Sequence, residues 1–569
     1  MFFENQKRWI ACAIFAILIV SVGVGCAPSP TPVPPPPPTT AAPVPAPATS
    51  VPAPATSAPV AKPTEVPAAT KPAATTAPTA VPAAKQTLIV GVDLEPKTLD
   101  PLFGDAPGGP DRYSSNLLYE GLYRAEPDGT LTPMLAESWK LSDDGMTVTF
   151  NLRKGIKFHD GTDFNAEAAA FNLSRVASKD TNSPRRADAP ALQSAQAVDS
   201  LTLRVVLSAP SAATMVNLAY EAGRMASPTA VKALGKDYGR KPVGTGPYRF
   251  VEWRSGDRIT FERNNDYWRL DKDGKRLPYA DTIVMRFIPD VSVKMVELRT
   301  GNIHIGDFVP PINYATVRSE PSLKLVDSPS CITQWMSFNV TKPPFDNEKL
   351  RTAILTAVDR DALSKVVTLG LGTVVPSLAA PGDWFYDPNI PYPKYDPVRA
   401  KTLLADAGYP NGLKTTMSII QRDPDTQIGQ LMQAQLKQVG VDVELQVLER
   451  QAWIDKVLAY NYEMAQLRIG LPRPDPANTF GPSFGTGAGN NWSGVKDSDL
   501  TKLTDDAGKT LDQAKRKEMY KQIQQMVNQR SYYAFLFFRP VAFPMSVKVQ
   551  TFPMDVDSAW RLGEVKLNP

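Results

Sequence analysis

From Ala27 to Gln86 the chain is built almost wholly from Pro, Ala, Thr, Val and Ser, and it holds 19 of the 55 prolines with no aromatic residue and no glycine. No other feature restricts the fold as much. Such a segment cannot bury enough apolar surface to offset its ordering entropy, so the sequence predicts a disordered tether with much polyproline II character. Stretched at ~3.1 Å per residue it would reach on the order of 180 Å. Folding is left to residues 87–569, whose mixed composition and length exceed one ordinary core and imply two or more lobes.

The residues ahead of the tether say what it is tied to. Lys7 and Arg8 precede an apolar run from Trp9 to Val24, followed by Gly25-Cys26-Ala27. The run is roughly 15 residues, below the ~20 a membrane-crossing helix needs, so it reads as a secretory signal. A small residue followed by cysteine resembles the bacterial lipoprotein signal, although Gly23 stands where Leu or Val is usual. The resemblance implies a signal peptide over 1–25, acylation of Cys26, a tether over 26–86 and an extracytoplasmic, lipid-anchored location in the periplasm or at the cell surface. Of three cysteines, Cys12 would leave with the signal and Cys26 would carry lipid, so Cys331 has no disulfide partner and reads as a small buried residue. Without residues 1–25 there are 60 basic and 57 acidic side chains, a balance with no electrostatic case for nucleic acid.

Within the body, Leu88 to Val92 is a short apolar run suited to a strand buried on both faces. Thr147 to Leu152 alternates after the turn Asp143-Asp144-Gly145, and Leu201 to Leu207 alternates after Asp199-Ser200. A helix capped by Asp346 is expected through Leu350, Ile354 and Val358. Further helices are expected at 397–407, 428–439 and around 519–527, with a strand at 441–447 after Gly440. This alternation defines an α/β class.

Several segments, in order, resemble the large extracytoplasmic solute-binding proteins, family 5, of ATP-driven oligopeptide, dipeptide and nickel importers. They are Leu99-Asp100-Pro101, Tyr119 to Leu122, Leu141 to Arg153 running into Phe158-His159-Asp160-Gly161, Gly244 to Tyr248, and Arg263 to Trp268. Phe338-Asn339, Pro344 to Asn347, Arg351 to Ile354 and Ala357 to Arg360 follow. The resemblance implies a two-lobed periplasmic-binding-protein fold of type II that closes on its ligand at a hinge. Lobe I would comprise 87–327, with a subdomain inserted near 125–225, and the C-terminal return 530–569, where Tyr532 to Phe538 fits a buried strand. Lobe II would be 328–529. A monomer is implied that gives a small solute to a membrane permease driven by a cytoplasmic ATPase. A surface structural or adhesive lipoprotein keeping the same fold is the alternative.

No enzyme, cofactor or metal is expected. His159 and His304 lie far apart, and no paired-histidine zinc motif or G-x-S-x-G elbow is present. Ser493-Gly-Val-Lys496 matches the S-x-x-K pattern of acylating serines, but in a glycine-rich loop without its companion motifs. Gly244-Thr-Gly-Pro-Tyr248 lacks the lysine of a phosphate loop and reads as a structural turn. For the ligand, an aromatic wall with a few directional polar groups points to Trp384, Trp335, Trp492 and Asn491. Peptide-binding members place Trp and Asp shortly before an acidic residue and proline, and that Asp holds the peptide ammonium. Aligned on Asp475-Pro476, Ile469 and Pro472 stand at those positions here. Either Asp475 substitutes, or the ligand is not a peptide held in the usual way. Arg468 and Arg473 would then favour an anionic or polyhydroxylated solute.

Overall fold

Two strands run far past the ordinary length of 3–10 residues: Leu323–Phe338 with 16 residues and Tyr533–Ser546 with 14. They pair antiparallel from Leu323↔Ser546 to Ser337↔Tyr533, with register shifts between Asp327 and Cys331 and between Gln334 and Trp335. The computed structural model describes residues 85–104, 111–126, 128–469, 475–555 and 558–568. The expected signal, Cys26, the tether up to residue 84, Pro472 and Arg473 lie outside the described residues, as do the side chains of Cys331 and Ile469.

The long pair joins what would otherwise be two sheets. Toward one end lie Ile305–Gly306, Thr87–Val92, Thr282–Phe287, Arg258–Arg263 and Tyr248–Arg254; toward the other lie Met464–Ile469, Leu413–Ile420 and Val441–Leu448. Each end has its own core. Leu88, Val90, Phe261 and Met285 pack with Val541, Phe543 and Met545. Ile354, Met417, Ile428 and Val443 pack with Met336, Ala534, Leu536 and Phe537. The C-terminal strand therefore changes core between about Phe538 and Val541, whereas the sequence placed its return to lobe I near 530. The run Tyr533 to Phe537 is buried, as its apolarity requires, but on the lobe II side. The fold is α/β, and both strands of the crossing are shared between its two lobes.

Local signals account for most elements. Strands at Thr87–Val92, Thr147–Leu152, Thr202–Leu207 and Val441–Leu448 follow the apolar runs and alternations. Gly145 at φ +70° makes the hairpin turn, and Asp144 Oδ1 accepts from Met146 N–H at 3.0 Å. Helices Pro397–Asp406, Asp425–Gln438 and Gln513–Gln529 cover the periodic stretches. At Glu348–Thr356 the cap is Asn347, not Asp346: its side chain accepts from Lys349 and Leu350 N–H. A third core, from Leu102 to Met225, lies under the four-stranded sheet Ala136–Leu141, Thr147–Leu152, Thr202–Leu207 and Leu192–Ala197.

His159 ties this subdomain to the main sheet. Its N–H donates to Gly244 O at 2.8 Å, and Gly244 N–H donates to Nδ1 at 3.3 Å. The proton is thereby fixed on Nε2, which donates to Gly246 O at 2.9 Å. A Cβ at Gly244 would meet Leu118 O at 2.0 Å, so the glycine-rich turn serves close packing. Burial, the largest cause, holds the imidazole well below its usual range, at about 4. The unfolded ring takes a proton near 6.5, so this contribution is complete above pH 6.5 and is lost as pH falls toward 4, roughly 3 kcal/mol in all. Urea titrations at several pH values should show a smaller loss over that window in His159→Gln than in the wild type.

Candidate functional site

A cavity of about 300 Å³ opens where the two long strands cross, and both lobes line it. Asp93 and Leu94 follow strand Thr87–Val92, and Asp307, Phe308 and Val309 follow Ile305–Gly306. These two strands are parallel, and crevices beyond the carboxyl ends of parallel strands are the usual ligand positions of α/β sheets. Tyr113 comes from helix Asp111–Leu118, Ile332, Arg539, Pro540 and Val541 from the crossing, and Arg468 from strand Met464–Ile469.

The lobe I wall is acidic. Asp307 is buried, contacts the fully buried Lys294 and accepts from Asp93 N–H at 2.5 Å. Burial and then the nearby Asp93 raise the Asp307 carboxyl, against the pull of Lys294. The Asp93 side chain hydrogen-bonds the Asp307 carboxyl, so the two aspartates form one acidic pair beside Lys294.

The opposite wall is cationic. Arg422 Nε donates to the buried Asp425 at 2.6 Å, so that pair is internally compensated. Arg468 and Arg539 beside it have no hydrogen-bond or ion-pair partner among the described residues, and Arg539 Nε is buried. Burial and then the Arg422 charge hold Arg468 below its usual range, at about 10, and burial lowers Arg539. Two guanidinium groups thus line a sheltered space with the Arg422-bound Asp425 as the carboxylate they share, an arrangement that an incoming anion would relieve.

Of the described residues singled out in the sequence, Arg468 alone lines this cavity. Asp475 is buried on Arg516, whose Nη2 donates to Oδ1 at 2.5 Å, and the same guanidinium lies 5.3 Å from the Trp384 ring centroid. Trp384 also faces Gly129 of lobe I, where a Cβ would come within 3.2 Å of its ring. Nearby, Asn217 and Asn478 exchange side-chain hydrogen bonds of 2.9 and 2.6 Å, and Gln513 Nε2 donates to Asp128 O at 3.1 Å. These contacts close the rim between the lobes. Trp335 is fully buried between Tyr533 and Phe535 at 4.9 and 5.9 Å. Trp492 packs 6.0 Å from Trp453, and the Asn491 amide bonds Gly485 O and Val495 O within its own loop. Ser493 is buried on Ser337 Oγ and Tyr532 O while Lys496 is exposed, so the S-x-x-K pair is split.

Asp93, Asp307 and Arg539 escaped the sequence reading. A polar residue directly after a doubly buried strand was the available signal for Asp93, and the arginine that ends the run Tyr532 to Phe538 was the signal for Arg539.

Crossing strands with a cavity between two lobes define a two-lobed periplasmic-binding-protein fold. Residues 130–491 match the bacterial extracellular solute-binding proteins, family 5 Middle, and the chain belongs to that family. The glutathione-binding protein GsiB of Pectobacterium atrosepticum is 37% identical over 354 residues, 62% of this chain and 67% of that protein. The periplasmic binding protein DppA of Helicobacter pylori, solved with the peptide STSA, is 27% identical with a TM-score of 0.71, over 85% of this chain and 99% of that one. AgaA of A.tumefacien R10, solved with agropinic acid, is 25% identical with a TM-score of 0.68, over 85% and 99%. The chain is therefore a substrate-binding protein of the ABC-importer kind, and its relatives are binding proteins rather than enzymes. No helix among the described residues is long and apolar enough to cross a membrane.

Replacing Asp475 by Ala leaves the Arg516 charge buried without its carboxylate, at a cost of about 3–5 kcal/mol. Chemical denaturation of Asp475→Ala should show that loss, and Arg516→Met in the same background should recover part of it.

Proposed function

We propose that the chain is a lipid-anchored receptor, held through Cys26 and the tether, that captures a small carboxylate-bearing solute by closure of its lobes. In this reading it acts as a monomer outside the cytoplasm and gives the solute to a membrane permease powered by a cytoplasmic ATPase. Lobe I comprises 87–327 with its inserted subdomain at about 125–225, and lobe II begins at 328; the C-terminal strand recrosses near Phe538, beyond the 530 boundary expected from sequence. The carrying observation is the cavity of about 300 Å³ between the lobes, which Arg468 and Arg539 line with no ion-pair partner of their own among the described residues. The size lies at the lower end of ligand pockets and suits one compact solute. Glutathione, the peptide STSA and agropinic acid, named with the relatives, all bear carboxylates, which supports a similar cargo here. Neither Trp335 nor Trp492 is needed for this capture, while Trp384 serves at the closing rim.

Two measurements test the reading. Isothermal titration of the purified chain against peptides, glutathione and sugar-derived acids should give one site per chain, weakened about 10-fold or more in Arg468→Gln. Saturable binding by none of these solutes would sink it. Metabolic labelling with a fatty acid should mark the wild type and not Cys26→Ala, which should leave the membrane fraction.

A further inference from the structure

A smaller cavity, of about 60 Å³, shares no lining residue with the one between the lobes. It lies where the inserted subdomain meets helix Asp111–Leu118 and the C-terminal segment: Tyr220 and Arg224 reach it from the first, Asn116 from the helix, and Asp555, Arg561 and Glu564 from the last. A single water needs roughly 10–15 Å³ of such space, so the cavity suits a few waters or one compact ion. Its carboxylates are engaged. Asp555 accepts from Arg561 Nε at 2.6 Å and, on its other oxygen, from Asn116 Nδ2 at 2.9 Å. Glu564 accepts from Arg269 Nη1 at 3.0 Å, and the buried Glu120 accepts from the Tyr267 hydroxyl at 3.0 Å and Trp268 Nε1 at 3.1 Å. The donors are not all engaged. Among the described residues the Tyr220 hydroxyl, Arg224 Nε and Arg561 Nη2 are buried with no hydrogen-bond partner. Tyr220 is 8% exposed, and burial, with the Asp555 charge next, pushes its phenol above the usual range. The hydroxyl therefore keeps its proton and stands as a donor.

Three buried donors on one small cavity call for acceptors, because a buried donor left unmade is costly. A water would accept from these groups but bring two donors of its own, whereas an oxyanion brings acceptors only. Charge limits which oxyanion fits. Arg124, Arg224, Arg269 and Arg561 line the cavity against Glu120, Asp555 and Glu564, and Glu126, outside the lining, accepts from Arg124 Nε at 2.9 Å. The groups are thus close to balance, which suits a single negative charge and not a multiply charged ion. We infer that this cavity is a second binding site, for one compact monovalent oxyanion of the nitrate, bicarbonate or formate kind, held by the Tyr220 hydroxyl, Arg224 and Arg561. Two of its contacts are charge-assisted, the stronger sort. Bound there, the ion fastens the inserted subdomain to the C-terminal segment, since Tyr220 and Arg224 belong to the one and Arg561 to the other. The site stands apart from the capture of cargo between the lobes.

The experiment is isothermal titration of the full chain with sodium nitrate, bicarbonate and formate at constant ionic strength, alongside thermal melts. Wild type, Tyr220→Phe, Arg224→Lys and Arg468→Gln are compared. At least one of the anions should bind the wild type saturably and raise its melting temperature. Tyr220→Phe and Arg224→Lys should each weaken that binding roughly 10- to 100-fold, and Arg468→Gln should leave it unchanged. Without added anion Tyr220→Phe should melt no lower than the wild type, because it removes a buried hydroxyl that no protein group answers. Saturable binding of none of the three anions would overturn the inference. So would binding that Tyr220→Phe and Arg224→Lys leave intact, or that Arg468→Gln abolishes, since the ion would then sit elsewhere. If both variants fail to fold, a crystal of the wild type grown in nitrate decides: the anion against Tyr220 and Arg561 upholds the site, and water alone there overturns it. None of these failures touches the receptor reading, whose solutes bind in the other cavity.

Discussion

The antiparallel pairing of Leu323–Phe338 with Tyr533–Ser546 is the interaction on which the remaining architecture depends. Backbone hydrogen bonds along this ribbon give each lobe a central strand pair, so neither core can form without the segment that also enters the other. The register shift between Asp327 and Cys331 interrupts the ladder where the chain changes core. An interrupted ladder bends more readily than a regular one, which places compliance at the crossing and leaves the cores rigid. The cavity sits at that crossing, where Ile332, Arg539 and Pro540 belong to the ribbon itself.

Elements governed by local pattern were legible in the sequence. Burial alternates within Thr147–Leu152 and Val148 faces Val205 across the sheet, which any reading of period two would find. The cap at Asn347 was missed by one residue because two adjacent side chains could each serve, and only the backbone direction decides. The crossing near Phe538 was invisible because an apolar strand reads the same in either core. For the site, Asp93 meets Asp307 across a separation of 214 residues, a juxtaposition that topology alone creates. Asp475 presents the converse case. Its position before Pro476 suggested a ligand group, and nothing nearby in sequence announces Arg516, 41 residues on, as its partner.

Buried charge in this protein is held in two ways. Some buried charges are paired, as in Arg516–Asp475 and Arg422–Asp425, while others, such as Arg351 and Arg360, bond backbone carbonyls. Arg468 and Arg539, which have neither kind of partner among the described residues, line the cavity. That separation lets the framework remain stable when empty, since removing a ligand exposes surplus charge only where water can enter.

The rim contact Asn217–Asn478 and the crossing lie on different parts of the inter-lobe boundary, and this has a bearing on unloading. A partner that pries apart the rim admits solvent to the interior, and the effective dielectric there rises toward that of water. Attraction between the cavity arginines and an anionic group then falls, as Coulomb energy scales inversely with that dielectric. Discharge would require no competing ligand and no proton transfer. The protein would let go because wetting the interior weakens its hold on the charged end of the solute.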